Sequence, residues 1–232
     1  DDMKEDAATI IKQIKSAYKS NYGDNYKDSL NQALTSAGYK NLSEYRQRMI
    51  KQIQYANFLL DYIDDHFDDV FNDYYQQCAP KYVSLIKISV SDTSSPTDDE
   101  TSKLNEVKEL ISNTDKSFGD IAQDYSDDST SSKKGSLGIV DSKDTSGIAN
   151  SYGKDVFNAI EALSEGQVSD VITGDDGYYF VKVTSTDKKT LKKELKKTDI
   201  DSPLLAYDDY LQYVVYNSYK INYKDKDIKK IV

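Results

Sequence analysis

The sequence has no tryptophan, one histidine, one cysteine and three prolines. A single cysteine, Cys78, excludes an internal disulfide and any metal site built from several thiolates. A single histidine, His66, stands between Asp65 and Phe67; without partners it is a poor ligand or base and reads as a solvated or carboxylate-paired side chain. No metal or other cofactor is expected. No apolar run approaches the ~18 residues that span a bilayer, and no basic leader with an apolar stretch behind it opens the sequence. Basic charge is also short. Against 40 Asp and Glu stand 30 Lys and Arg, a net charge of −10, so the phosphate-neutralising surface that dominates nucleic-acid affinity is missing and no nucleic acid is expected as a partner.

Tyrosine and charge are abundant. The 20 tyrosines supply rings that pack on one side and stay wet on the other, and 38% hydrophobic with 30% charged residues suits a soluble globular protein. At 232 residues, two modest domains fit better than one large one. From Thr9 to Tyr18, the residues Ile10, Ile11, Ile14, Ala17 and Tyr18 share one helical face, and Tyr22-Gly23-Asp24 breaks the pattern. A shorter helix carrying Tyr26, Leu30, Ala33 and Leu34 ends at Gly38, which enters the left-handed conformation freely. Ser43 can cap a long helix with the stripe Tyr45, Met49, Ile53, Ala56, Leu60 and Ile63. A fourth helix, about residues 67 to 77, stops before Pro80.

The period then turns extended over residues 82 to 90, which places a domain boundary at residue 80. Helices are expected from Thr97, where Thr97-Asp98-Asp99-Glu100 is a capping box, from Ser117, and over residues 156 to 163. Strands are expected at 137 to 140, 168 to 172 and 178 to 183, with Asp175-Asp176-Gly177 turning the last pair into a hairpin. Helix resumes after Thr186 and includes Leu204, Leu205, Tyr207, Leu211, Val214 and Val215. Residues 1 to 80 carry 9 basic and 13 acidic groups, 81 to 186 carry 10 and 19, and 187 to 232 carry 11 and 8. The flanks thus have opposite net charge, −4 and +3, as two halves of one domain split by an insertion would. The expected fold is α+β: a helical domain in two parts, residues 1–80 and 187–232, around an inserted domain of residues 81–186 with a small antiparallel sheet and surrounding helices.

The middle section resembles the parvulin family. Ser117-Phe118-Gly119-Asp120-Ile121-Ala122 has the form of its Phe-x-x-(Leu/Ile)-Ala helix, followed by Tyr125-Ser126-Asp127-Asp128 and Gly135-Ser136-Leu137-Gly138. Ala159 to Leu163 with Gly166-Gln167-Val168-Ser169, and the closing Gly177-Tyr178-Tyr179-Phe180-Val181-Lys182-Val183, complete five motifs in order over about 100 residues. The flanks, Tyr22-Gly23-Asp24-Asn25-Tyr26 and Asn222-Tyr223-Lys224-Asp225-Lys226-Asp227-Ile228, resemble those of PrsA foldases. The resemblance implies an extracytoplasmic foldase on the outer face of a bacterial membrane, with a helical chaperone domain acting on unfolded or partly folded secreted polypeptides. Its lipid-bearing N-terminal cysteine would lie outside this sequence, since Cys78 is internal.

The resemblance also implies a site. Parvulins hold the proline ring on an apolar shelf beside a polar cluster of two histidines and a cysteine or aspartate. Alignment puts Lys87 and Tyr179 at the histidine positions and Asp128 at the third, while Leu137 matches the shelf and Val156 replaces its usual phenylalanine. The segment from Asp141 to Asp155 is longer than typical. Lys87 would bring a full positive charge and seek Asp128, giving either a structural ion pair or a modified site of weak activity. Three readings stay open: an active prolyl isomerase, a chaperone whose parvulin domain is a relic for scaffolding or client contact, and a purely structural surface protein.

Overall fold

The computed structural model describes residues 2–113, 115–195 and 202–206. The fold is α+β and divides into two compact units, Asp1–Asp65 and His66–Val232. The first is helical: α1 (Asp2–Tyr22), a 3-10 turn at Gly23–Asn25, α2 (Tyr26–Ser36) and α3 (Leu42–Asp65). Ala7 and Ile11 of α1 bury against Met49 of α3, with Ile14, Tyr45 and Ile53 packed around them. The end of α2 follows from Gly38, whose φ of +83° lets Tyr39 N–H reach Leu34 O at 2.9 Å and Gly38 N–H reach Thr35 O at 3.0 Å. Asn41, not Ser43, caps α3. Its Oδ1 accepts the Glu44 N–H at 3.0 Å while the Glu44 carboxylate accepts the Lys40 N–H at 2.8 Å, which leaves Ser43 inside the first turn.

The second unit runs α4 (Phe67–Cys78), β1 (Lys81–Ser89), α5 (Asp98–Asn113), α6 (Phe118–Tyr125), β2 (Ser136–Val140), α7 (Ile148–Tyr152), α8 (Lys154–Ala162), β3 (Ile172–Thr173), β4 (Gly177–Ser185), α9 (Lys188–Leu195) and α10 (Pro203–Ala206). The strands form one antiparallel sheet in the order β2-β1-β4-β3. Because side chains alternate along a strand, Val83, Leu85, Tyr179 and Val181 face α7 and α8 on one side. Ile86, Ile88 and Phe180 face α5 and α6 on the other. The expected strand at 168 to 172 forms a ladder only at Ile172–Thr173; Val168 bridges Lys182 alone.

Beyond Ser84, β1 has no partner strand on the β2 side, and a loop takes its place. Gly135 O accepts from Leu85 N–H at 2.8 Å, Ser126 Oγ from Lys87 N–H at 3.0 Å, and Asp127 Oδ2 from Ser89 N–H at 2.9 Å, while Asp127 N–H donates to Lys87 O at 2.8 Å. An edge that would otherwise expose unpaired backbone groups is thereby closed. At the far end of the sheet, α4 and the stretch after β4 lie together: Tyr75 Oη donates to Thr186 O at 3.0 Å, and Lys192 pairs with Asp68 at 2.8 Å. The expected helix through Val215 begins as α10, and its residues from Tyr207 on lie outside the described residues.

The capping box forms as expected, with Glu100 N–H donating to Thr97 Oγ1 at 3.2 Å and Thr97 N–H to the Glu100 carboxylate at 2.7 Å. Ser91 N–H adds a third bond at 2.8 Å. The Thr97 N–H first and the Ser91 N–H second hold the Glu100 carboxyl down to about 2, against 4.5 for a free side chain. A depressed folded value means that the stabilisation is full above pH 4.5 and is lost as pH falls from there through about 2. Denaturant unfolding of wild type and Glu100→Gln should therefore differ most near neutrality, narrow below pH 4.5 and converge only as pH falls through about 2. A gap that widens on acidification would refute this assignment.

Candidate functional site

A cleft of about 600 Å3 opens in the second unit between the α7–α8 junction and the β3–β4 hairpin. Tyr152, Gly153, Val156, Ile172, Asp176 and Tyr179 are among its lining residues. Asp144 builds the junction locally. Its carboxylate accepts the N–H groups of Ile148 at 2.6 Å and Ala149 at 2.9 Å, so part of the long segment 141 to 155 becomes the helix α7, which carries Tyr152 to the cleft.

Lys87 and Tyr179 stand directly opposite each other across β1 and β4. The Lys87 ammonium lies 5.7 Å from the Tyr179 ring centroid, a cation–π geometry. Both side chains converge on Asp176, in the hairpin turn that Gly174 N–H closes onto Gly177 O at 2.9 Å. Lys87 Nζ donates to Asp176 Oδ2 at 2.5 Å, and the Tyr179 hydroxyl donates to Asp176 Oδ1. Hydrogen bonds from Lys87 and then Tyr179 hold the Asp176 carboxyl below its ordinary range. Burial first, and the Asp176 carboxylate second, push the Tyr179 phenol up. The cluster is thus an ionised carboxylate holding an ammonium and a neutral phenol.

Asp128 takes a different part. Its Oδ1 accepts from Thr130 N–H at 2.8 Å and from Thr130 Oγ1 at 2.6 Å, capping the 3-10 turn Ser129–Lys133. The ion pair expected between Lys87 and Asp128 is replaced by Lys87–Asp176, since Asp128 is committed to its own turn. Asp128 nevertheless borders the site: burial first, and the Asp128 carboxylate next, push the Tyr152 phenol up. The rings of Tyr152 and Tyr179 meet edge to face at 6.2 Å.

Of the expected shelf, Val156 is buried in the cleft floor. Leu137 packs on the same apolar cluster from β2 and is not among the residues lining the cleft. Tyr152 and Asp176 were not expected in the site. Asp176 was legible as a turn residue, and only the β1–β4 register shows which side chains the turn would meet.

Residues 85–185 match the model of the Rotamase family, the PPIC-type PPIase domain. The middle section is thus similar to that family. The chain is also similar to curated foldases. The Foldase protein PrsA of Staphylococcus aureus (strain bovine RF122 / ET3-1) is 33% identical over 137 residues, which cover 56% of this chain and 40% of that relative. The PrsA of Staphylococcus epidermidis (strain ATCC 12228 / FDA PCI 1200) is likewise 33% identical over 137 residues, 56% of this chain and 39% of its own length. The matched segment therefore spans well under half the length of these curated relatives. Among solved structures, that of PrsA from Bacillus subtilis aligns over 97% of this chain and 78% of its own, at 24% identity and a TM-score of 0.40.

Proposed function

We propose that this chain is a foldase-type chaperone for unfolded or partly folded polypeptides, with a PPIC-type domain whose isomerase activity is weak or lost. The helical sections 1–80 and 187–232 would form the chaperone domain around it. Following the resemblance to PrsA foldases, the work would be extracytoplasmic, with attachment to the outer face of a bacterial membrane through a lipid anchor. No helix among the described residues is long and apolar enough to cross a membrane.

One observation carries the reading on activity: a single carboxylate, Asp176, engages both Lys87 and Tyr179. Prolyl isomerisation breaks no covalent bond, and its barrier of ~20 kcal/mol is the loss of amide resonance on twisting. Catalysis therefore needs polar groups free to favour the twisted amide more than the planar one. Here the ammonium and the phenol proton are already committed to an internal partner. The cleft can still hold a polypeptide, because its apolar floor stands beside this cluster and is not consumed by it.

An NMR exchange assay on Xaa-Pro peptides with the full chain tests this reading. Wild-type exchange should be slow, Lys87→His with Tyr179→His should raise it about tenfold or more per ~1.4 kcal/mol recovered, and Asp128→Ala should change little. Efficient wild-type exchange that Asp128→Ala abolishes would overturn the reading. It would instead support a fully active isomerase, the alternative that the cleft beside the polar cluster favours.

A further inference from the structure

The charges around the cleft narrow what it can accept. On one wall is Asp155, in the first turn of α8, and on the other is Asp175, in the β3–β4 turn. Both are exposed, and neither forms a hydrogen bond or ion pair among the described residues. Asp176 is balanced by Lys87, which leaves Lys154 as the cation among the lining residues. Asp155 also sits at the positive end of α8 and offsets the attraction that end would have for an anion. The Tyr179 hydroxyl donates its hydrogen bond to Asp176 and so keeps its proton turned away from the cleft, and the Asp128 carboxylate acts on Tyr152. At longer range, residues 81 to 186 hold 10 basic and 19 acidic groups, a field that draws cations and repels anions.

Resting on the reading that the cleft takes client polypeptide, we propose that it selects segments with a basic side chain beside the residue seated on its apolar floor. The ammonium or guanidinium would lie between Asp155 and Asp175 while an apolar neighbour covers Val156 and Ile172. An acidic segment would instead set its carboxylate against two aspartates with the single cation Lys154 in the lining to offset them.

The test uses the full chain and three labelled Xaa-Pro peptides of one sequence, differing only in lysine, norleucine or glutamate before the proline. Anisotropy titration at low salt should favour lysine over glutamate by about tenfold, the scale of two exposed charge contacts whose sign is reversed. Roughly 0.5 M salt should bring the ratio close to one, since such contacts are screened within a few ångströms at that strength. The double variant Asp155→Asn with Asp175→Asn should reduce the low-salt ratio to within about twofold. Equal affinity for lysine and glutamate peptides while norleucine still binds would overturn this inference alone. So would a preference that persists in the double variant. If none of the three peptides shifts the amide resonances of Tyr152 and Tyr179, the reading of the cleft as a polypeptide site falls, and the inference with it.

Discussion

Asp141→Ala is expected to lower the stability of the second unit by about 3 kcal/mol or more, because it strands several polar groups at once. Asp141 is completely buried. Its carboxylate accepts from the buried Tyr74 hydroxyl at 2.7 Å, from the Thr145 hydroxyl, and from the Lys143 N–H at 2.9 Å. Each buried donor left without an acceptor costs about 1 to 3 kcal/mol, more than the net gain of making the bond. The same geometry ranks the variants. Tyr74→Phe removes one donor and leaves the acid bonded to the others, so it should cost about 1 kcal/mol. Asp141→Asn keeps one carbonyl acceptor and should fall between them.

Cys78 supplies a readout within the same network. It is buried, its carbonyl accepts from the Ser142 N–H at 2.8 Å, and its thiol is pushed up to about 11 by burial first and Asp141 second. As the sole cysteine it can be labelled without ambiguity. Native-state labelling should accelerate strongly in Asp141→Ala, modestly in Tyr74→Phe, and in step with the loss of stability by denaturant unfolding. Unchanged labelling and stability in Asp141→Ala would mean that the contact between α4 and the end of β2 does not depend on this acid. The contact also matters for the cleft, since the segment that begins at Asp141 carries α7 and Tyr152.

Features with local causes were legible in the sequence. Thr97 and Glu100 sit three residues apart and Gly38 ends a short apolar stripe, and both form the predicted caps, while the helix expected from Ser117 starts there with the Ser117 hydroxyl accepting the Asp120 N–H. The choice between Asn41 and Ser43 was not legible, because both are capping residue types within one turn. Most of the candidate site depends on longer distances. That Lys87 and Tyr179 face each other follows from a register fixed by two apolar faces, which alternation in each strand alone leaves unassigned. Tyr74 and Asp141 are 67 positions apart and carry no mutual signal in one sequence. Asp176 combines both cases: a turn residue by its neighbours, and the centre of the polar cluster by the strand it happens to follow.

Gly135 was legible as part of a motif, yet the reason for a glycine there emerges only from the packing. Its φ is +75°, and a Cβ at this position would lie 2.4 Å from Leu85 O and 2.8 Å from the Ala122 Cβ. Those contacts are backbone and a packed helix methyl, so no flexible side-chain end can move aside. Alanine would add ~1 kcal/mol for the left-handed conformation and about 1 to 3 kcal/mol for forced overpacking. It would also push the chain away from β1, where Gly135 O accepts the Leu85 N–H two residues before Lys87. Gly138 provides the matched control. Its φ is +76°, but a Cβ there would meet nothing within 4 Å, so Gly138→Ala should lose only the conformational part, about 1 kcal/mol. Denaturant unfolding should therefore place Gly135→Ala about 1 to 3 kcal/mol below Gly138→Ala, and the amide resonance of Lys87 should shift in the first variant and hold in the second. Equal losses at the two positions would show that the loop over β1 yields to the extra methyl, and that its close approach is not what keeps this edge of the site in place.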